Sequence, residues 1–234
     1  MTIQKALTSA ATGLLATMGL AIAAPASAGT VVLGDSGWEA HWHSSLNPYV
    51  DIDFMEIVDN TIFIQKSAEF TQGPVNGIFP SIAIKFRQVD ESDITNIVIE
   101  DEIVDNNTGV AWTGFNMKLM DHGEVFFDVD QTANSGGGGP IGWSIDPFTT
   151  AIFDRDDTKL KISGGVVEDG ESWFPGGGAN DGQLWIDVTS GDEGDFTRFT
   201  LKERPSGAVI PGPSSLLALA GMLGFAGTSR RRRA

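Results

Sequence analysis

The sequence predicts an all-β protein, either an antiparallel β-sandwich or a jelly roll, over most of its 234 residues. About ten short segments alternate apolar and polar side chains, which is the pattern of a strand with one buried face. Clusters of Gly, Asn and Asp separate these segments and are typical of turns. No stretch of residues 29–206 sustains a helical period, so two packed sheets are favoured over helical architectures.

The first 28 residues predict a signal peptide helix. Lys5 supplies a positively charged start, and residues 6–24 form an apolar stretch. The small residues Ala26, Ser27 and Ala28 then provide a cleavage site, so the mature chain is expected to begin at Gly29. A core helix is the alternative, but the order of these three features favours export.

The first half of the body contains most of the clearly alternating segments. Asp59 and Asn60 are predicted to form the turn of a hairpin. Residues 38–49 are aromatic and polar without a clear period, and no strand is predicted there. The predicted strands of this half are 30–33, 50–57, 61–66, 81–87, 94–104 and 112–120.

The second half repeats the pattern with longer loops between the strands. Residues 131–142 include four consecutive glycines and are predicted to form a flexible loop with little side chain to bury. Residues 29–206 are expected to form one β-sandwich body, followed by a linker that begins at Gly207. The predicted strands here are 124–129, 151–153, 159–162, 183–188 and 196–201.

The C-terminal stretch, residues 207–234, has three parts in fixed order. A proline-bracketed turn is followed by an apolar segment and then by an arginine cluster. As a helix, residues 216–229 would reach about 21 Å, whereas a bilayer core is about 30 Å thick. The segment is therefore a marginal membrane span, and its arginines would stay on the cytoplasmic side.

This tail resembles the PEP-CTERM sorting signal of Gram-negative-type bacteria. The resemblance implies recognition by an exosortase, an integral-membrane processing enzyme, which would remove the tail and deliver the body to the cell surface or extracellular polymer matrix. The tail departs from the family pattern at Gly212, where the family has Glu, and a plain membrane anchor is the alternative. The residues that carry the resemblance are Pro211, Gly212, Pro213, Arg230, Arg231, Arg232 and Arg233.

The charge of the body excludes some classes of partner. All 31 acidic residues and ten of the 15 basic residues lie in residues 29–209, which gives this stretch a formal charge of −21. Nucleic-acid binding is disfavoured because phosphate contacts need a basic footprint. Solubility outside the cell is the simplest meaning of the charge, and affinity for divalent cations is the alternative.

The chain contains no cysteine. Disulfides, cysteine nucleophiles and thiolate zinc sites are therefore excluded, and the body must rely on an ordinary hydrophobic core. The sequence Gly34-Asp35-Ser36-Gly37 matches the nucleophile motif of chymotrypsin-like proteases, but the His and Asp partners of that motif would have to precede it. A turn is the better interpretation.

Two further groups of residues suggest binding rather than catalysis. The acidic runs 128–130 and 154–157 lie beside predicted loops, where solvated turns are favoured and a calcium site is the alternative. His41 and His43 would share one face of a strand, but no third metal ligand is evident.

The tryptophans divide into two predicted groups. Trp112 and Trp185 fall in strand patterns and are expected in the core. Trp143 and Trp173 adjoin Gly/Pro loops, where exposed indoles could stack on sugar rings and contact a glycan.

The sequence thus predicts an exported, non-enzymatic surface or matrix protein without a cofactor, sorted through its tail. The expected partners are an exosortase-type enzyme, the membrane before processing, and an extracellular polysaccharide. A carbohydrate-binding module, with or without calcium, is the alternative. A glycoside-active enzyme is the third candidate and needs two facing carboxylates in a tryptophan-lined groove.

Overall fold

The computed structural model describes residues 28–120, 125–177, 181–189 and 196–209. These residues form two β-sheets, which confirms the predicted all-β sandwich. The predicted signal peptide and C-terminal hydrophobic helix lie outside the described residues. Within the described part, no helix is both long and apolar enough to span a bilayer.

Thirteen strands, one 3₁₀ turn and one short helix make up the described body. The 3₁₀ turn is Ser44–Leu46 and the helix α1 is Val129–Asn134. The strands are β1 Gly29–Val32, β2 Trp38–Trp42, β3 Val50–Val58, β4 Thr61–Phe70, β5 Ile82–Gln88, β6 Asn96–Asn106, β7 Ala111–Met120, β8 Phe126–Phe127, β9 Thr150–Phe153, β10 Lys159–Val167, β11 Ser172–Trp173, β12 Leu184–Asp187 and β13 Arg198–Val209.

The chain passes repeatedly between the two sheets. The seven-stranded sheet has the order β1-β2-β5-β13-β7-β10-β9, and all its pairs are antiparallel. The six-stranded sheet has the order β3-β4-β6-β12-β8, with β11 paired to β6. Strands β4 and β6 are parallel because the chain crosses to β5 of the other sheet between them. The last strand, β13, is therefore held centrally, between β5 and β7.

The core lies between the sheets and is built by alternation along each strand. In β4, every second residue is buried, so Ile62, Ile64 and Phe70 face the other sheet while the intervening side chains face outward. The core is rich in aromatic rings, and Phe86 stacks on Phe199 with ring centroids 4.9 Å apart. The burial of these apolar side chains stabilises the body, which has no cysteine and therefore no disulfide.

The expectations for residues 38–49 and for the linker at Gly207 were wrong. The stretch at residues 38–49 contains β2, whose alternation is short and carried by Trp38, Ala40 and Trp42. The predicted linker at Gly207 belongs to β13, which stays paired with β7 until Val209 lies opposite Ala111. A Pro-Ser-Gly sequence locally favours the end of a strand, but pairing with the central strand β7 overrides that preference.

The predicted flexible glycine loop was also wrong. Helix α1 begins at Val129, the last residue of the predicted strand 124–129, and extends through residues 131–134 of the expected loop. Asp128 caps it by accepting a hydrogen bond from the backbone N–H of Gln131 at 2.8 Å. The following loop is closely packed: a Cβ added at Gly139 would lie 1.8 Å from the carbonyl oxygen of Trp143. Glycine is used here for close backbone approach.

This packing makes a prediction that separates neighbouring glycines. Gly139→Ala should lower the free energy of unfolding by about 1–3 kcal/mol because backbone atoms must move to admit the methyl group. Gly138→Ala is the matched control, since no heavy atom lies within 4 Å of its added Cβ. It should change stability by less than about 0.5 kcal/mol. Urea denaturation measures both, and equal effects would contradict the packed loop.

Candidate functional site

The two tryptophans predicted to contact a glycan are buried. Trp143 and Trp173 are 0% and 1% exposed. The indole N–H of Trp173 donates to the carbonyl oxygen of Ile145 at 3.2 Å, and a Cβ at Gly176 would lie 2.7 Å from Nε1 of Trp143. The expected exposure of both indoles was wrong, because the neighbouring glycines admit the rings into the core. Neither ring offers a face to a sugar.

The tryptophans predicted in the core behave differently from each other. Trp112 is fully buried, as predicted, and its Nε1 donates to the hydroxyl of Thr108 at 3.1 Å. Trp185 is only half-buried. Its ring meets Phe63 edge to face at 6.1 Å, and Phe63 is likewise half-buried. The strand pattern alone did not distinguish an inward from an outward indole.

The serine and histidines singled out by sequence fill local structural roles. Ser36 is buried in the turn between β1 and β2, and its hydroxyl accepts from the backbone N–H of Trp38 at 3.1 Å. His43 Nδ1 accepts from the backbone N–H of Ser45 at 3.2 Å and caps the 3₁₀ turn. His41 lies 2.6 Å from Glu39. These contacts support the turn interpretation of the Gly-Asp-Ser-Gly stretch.

The two acidic runs meet at one corner of the sandwich. Burial raises the pKa of Asp157, and the nearby charges of Asp154, Asp156 and Asp130 raise it further. Oδ1 of Asp154 is occupied by the backbone N–H groups of residues 158 and 159, at 2.9 and 3.0 Å. The described residues contain no group of three His, Asp or Glu that could hold a metal. Calcium binding stays a prediction.

A surface depression of about 390 Å³ brings other carboxylates together. Its lining includes Tyr49, Asp51, Glu69 and Asp105, without a tryptophan. Two of these acids are engaged structurally: Glu69 accepts from the side chain of Asn107 at 2.7 Å, and Asp105 accepts from a serine hydroxyl. The depression therefore lacks the tryptophan-lined groove that a glycoside-active enzyme was expected to show.

A charged cluster lies in the core and joins the two sheets. Lys66 of β4, Glu102 of β6 and Glu203 of β13 have fully buried side chains. Lys66 Nζ donates to Glu102 Oε1 and, at 2.8 Å, to Glu203 Oε2. The sequence did not predict this cluster, although the alternation of β4 places Lys66 on the same face as Ile64. Its hydrogen bonds connect β4 and β6 of the six-stranded sheet to β13 of the seven-stranded sheet.

The protonation of this cluster follows from its burial. Burial raises the pKa of Glu102 to about 8, the charge of Glu203 adds to the rise, and Lys66 opposes it. Burial alone would lower the pKa of Lys66, but its two carboxyl partners raise it overall. At neutral pH, this raised pKa favours the protonated form of Glu102. Protonation of Glu102 removes one negative charge from the core, where an unpaired charge is costly.

The exposed charges are segregated between the two outer faces. Of the ten basic residues in the body, Lys66 is buried and nine reach the surface. Eight of these nine lie on the four adjacent strands β5, β13, β7 and β10 of the seven-stranded sheet. We call this surface the basic face. Its cations are Lys85, Arg87, Lys118, Lys159, Lys161, Arg198, Lys202 and Arg204.

The strand register places like charges side by side on the basic face. Lys202 pairs directly with Lys118, and Lys118 pairs with Lys159 on its other side. Within the described residues, the ion pairs on this face join Glu39 to Arg87 and Asp154 to Lys159, the latter at 3.4 Å. Within this row, Lys159 has the ion pair with Asp154, but like charges directly opposite each other on neighbouring strands are still unfavourable for the sheet.

The outer face of the six-stranded sheet has the opposite sign. We call it the acidic face, and among the described strand residues it presents no lysine or arginine. The charge is therefore distributed unevenly over the surface of the body, and the formal net charge does not show this distribution. The alternating basic residues of β5, β10 and β13 were the sequence signal for this segregation. The outward carboxylates are those of Asp51, Asp53, Glu56, Glu69, Asp101, Asp105 and Asp187.

Comparison with known proteins gives no assignment for this fold and these faces. The chain matches no protein-family model, and neither a curated protein nor a solved structure was found to match it.

Proposed function

We propose that this chain is an exported, non-enzymatic β-sandwich protein of the cell surface or extracellular matrix, sorted through its C-terminal tail. The signal-peptide pattern, the proline-bracketed turn, the apolar segment and the arginine cluster carry the proposal. The partner for sorting is an exosortase-type enzyme, and the membrane holds the tail before processing.

The extent of the folded body supports the division between body and signals. Strand β1 starts at Gly29, the residue expected after signal cleavage. Strand β13 ends at Val209, two residues before Pro211. Removing both terminal segments would therefore leave every described strand intact. A sorting system that trims both ends needs such a self-contained body.

The buried groups support a binding or structural role over catalysis. Two acids with fully buried side chains, Glu102 and Glu203, are enclosed between the sheets and hydrogen-bonded to Lys66. A general acid or base must reach its substrate within hydrogen-bond distance. The described chain instead presents broad charged faces, which suit contact with an extended partner.

Localisation of a tail-truncated chain tests this proposal. The full chain and a version ending at Val209 are expressed in a bacterium that has an exosortase, and cells, membranes and medium are separated. The full chain should reach the cell surface or polymer matrix, whereas the truncated chain should be exported but not retained there. Equal distribution of the two versions would contradict sorting through the tail.

A further inference from the structure

We propose that the basic face binds an acidic polysaccharide, a linear glycan that carries carboxylate or sulfate groups. This inference deepens the proposed function, since it names a matrix partner. It rests on that function only for the location at which the protein and the polysaccharide would meet. The binding itself follows from the described surface and can be measured with purified protein.

The surface cations are segregated on one face of the body. A body with a formal charge of −21 collects eight of its nine surface cations on one sheet face. Scattered cations would relieve the repulsion among the acids more effectively than a separate basic face does. The three paired lysines, Lys202, Lys118 and Lys159, repel one another in the folded protein. A bound polyanion would convert this repulsion into favourable contacts.

The shape of the face suits an extended ligand. The lysine row crosses three neighbouring strands, which are about 4.8 Å apart. A shallow depression of about 230 Å³ lies on this row and is lined by Lys118, Lys202, Arg204, Asn116 and Met120. A single sugar unit fits a depression of this size, while its charged neighbours along the polymer reach the flanking cations.

The polar groups between the cations favour a glycan over a nucleic acid. Asn116, Ser163 and Ser206 lie on the outer side of β7, β10 and β13, where amide and hydroxyl groups can bond to sugar hydroxyls. The outward side chains of these strands and of β5 include no aromatic ring, whereas single-stranded nucleic acids rely on stacking platforms.

The experiment compares single charge removals on and off the basic face. Arg155 is the one surface cation of the described residues outside the face, in the acidic turn between β9 and β10. Lys118→Gln and Arg155→Gln therefore remove the same charge at two places, and Lys118→Gln/Lys202→Gln extends the series. Calorimetric titration of the purified full chain uses polygalacturonate and dextran sulfate, with neutral dextran and a DNA oligonucleotide as comparison ligands.

The expected result is binding of both acidic polymers that weakens as salt is raised. The double variant should lose about tenfold in affinity, equivalent to about 1.4 kcal/mol, and Arg155→Gln should bind as the wild type does. Unchanged thermal unfolding of the variants checks that all three fold. Comparison of the two acidic polymers identifies whether carboxylate or sulfate is preferred.

Several results would overturn the inference. If Lys118→Gln and Arg155→Gln weakened polymer binding equally, the affinity would depend on the net charge and not on the basic face. If neutral dextran bound as tightly as the acidic polymers, the cations would not be needed for binding. Tighter binding of DNA would assign the face to nucleic acid. A doubled molar mass without polymer binding would assign it to the acidic face of a second copy. None of these outcomes bears on export or tail processing, so the two proposals fail separately.

Discussion

Replacement of Lys66 by methionine is expected to lower the free energy of unfolding by about 3–5 kcal/mol, because it leaves two buried acidic groups without their cation. Both carboxyl groups are fully buried, and Lys66 is their shared donor. Methionine has a similar length and keeps the packing, so the loss reports on charge rather than on volume. Urea denaturation at neutral pH measures it.

Two control variants define the cause of this loss. Lys85→Met makes the same change at an exposed position of β5 and should alter stability by less than about 0.5 kcal/mol. Lys66→Met/Glu102→Gln/Glu203→Gln removes all three ionisable groups and should recover part of the lost stability. Equally small effects of Lys66→Met and Lys85→Met would contradict a stabilising role for the buried ammonium group.

The protonation of Glu102 gives the second large expected effect. Its pKa is raised to about 8 in the folded protein, above the ordinary glutamate value that applies to the unfolded chain. The folded state therefore binds an additional proton between these two values. Its stabilising contribution is complete below the unfolded pKa and is lost as pH rises through about 8.

A neutral substitution isolates this contribution from the other acids. Glu102→Gln cannot titrate, so the stability of the wild type relative to this variant should fall between pH 5 and 8, by on the order of 1 kcal/mol per pH unit. Urea denaturation of both proteins across this range gives the difference directly. A difference that stays constant, or that rises with pH, would show that Glu102 is ionised in the folded protein.

The alternation of side chains predicted the sandwich because each sheet has one buried face. Strands β3 and β5 were recovered from this pattern to within one residue at each end, whereas β4 continues four residues beyond the predicted end at Lys66. The pattern could not predict which strands are neighbours: β13 lies between β5 and β7 although the chain places it last. The pairing of β13 with β7, which is distant in sequence, also places Gly207 in a strand, although the local sequence favours a turn.

The functional surfaces were harder to predict than the fold. Trp143 was predicted to be exposed because its neighbours are glycine-rich, but those glycines bring the backbone close to the buried ring. Lys66, Glu102 and Glu203 are far apart along the chain, and only the packing of the two sheets brings them together. The basic face was hidden by the net charge, which does not reveal where the cations lie.

Together, these features describe a β-sandwich body with a buried charged cluster and two oppositely charged faces. A central charged cluster fastens the two sheets, and the large aromatic core needs no disulfide. The outer surfaces carry opposite charge, which leaves one face suited to an acidic matrix polymer. We propose that the terminal segments serve export and sorting and that the body between them serves contact.

The most direct test of the central proposal is the intact mass of the protein recovered from the extracellular fraction. We expect a chain that begins at Gly29 and lacks the cluster Arg230–Arg233, so the recovered mass should be well below the 24.9 kDa of the full sequence. An extracellular protein that retains the four terminal arginines would contradict processing of the tail.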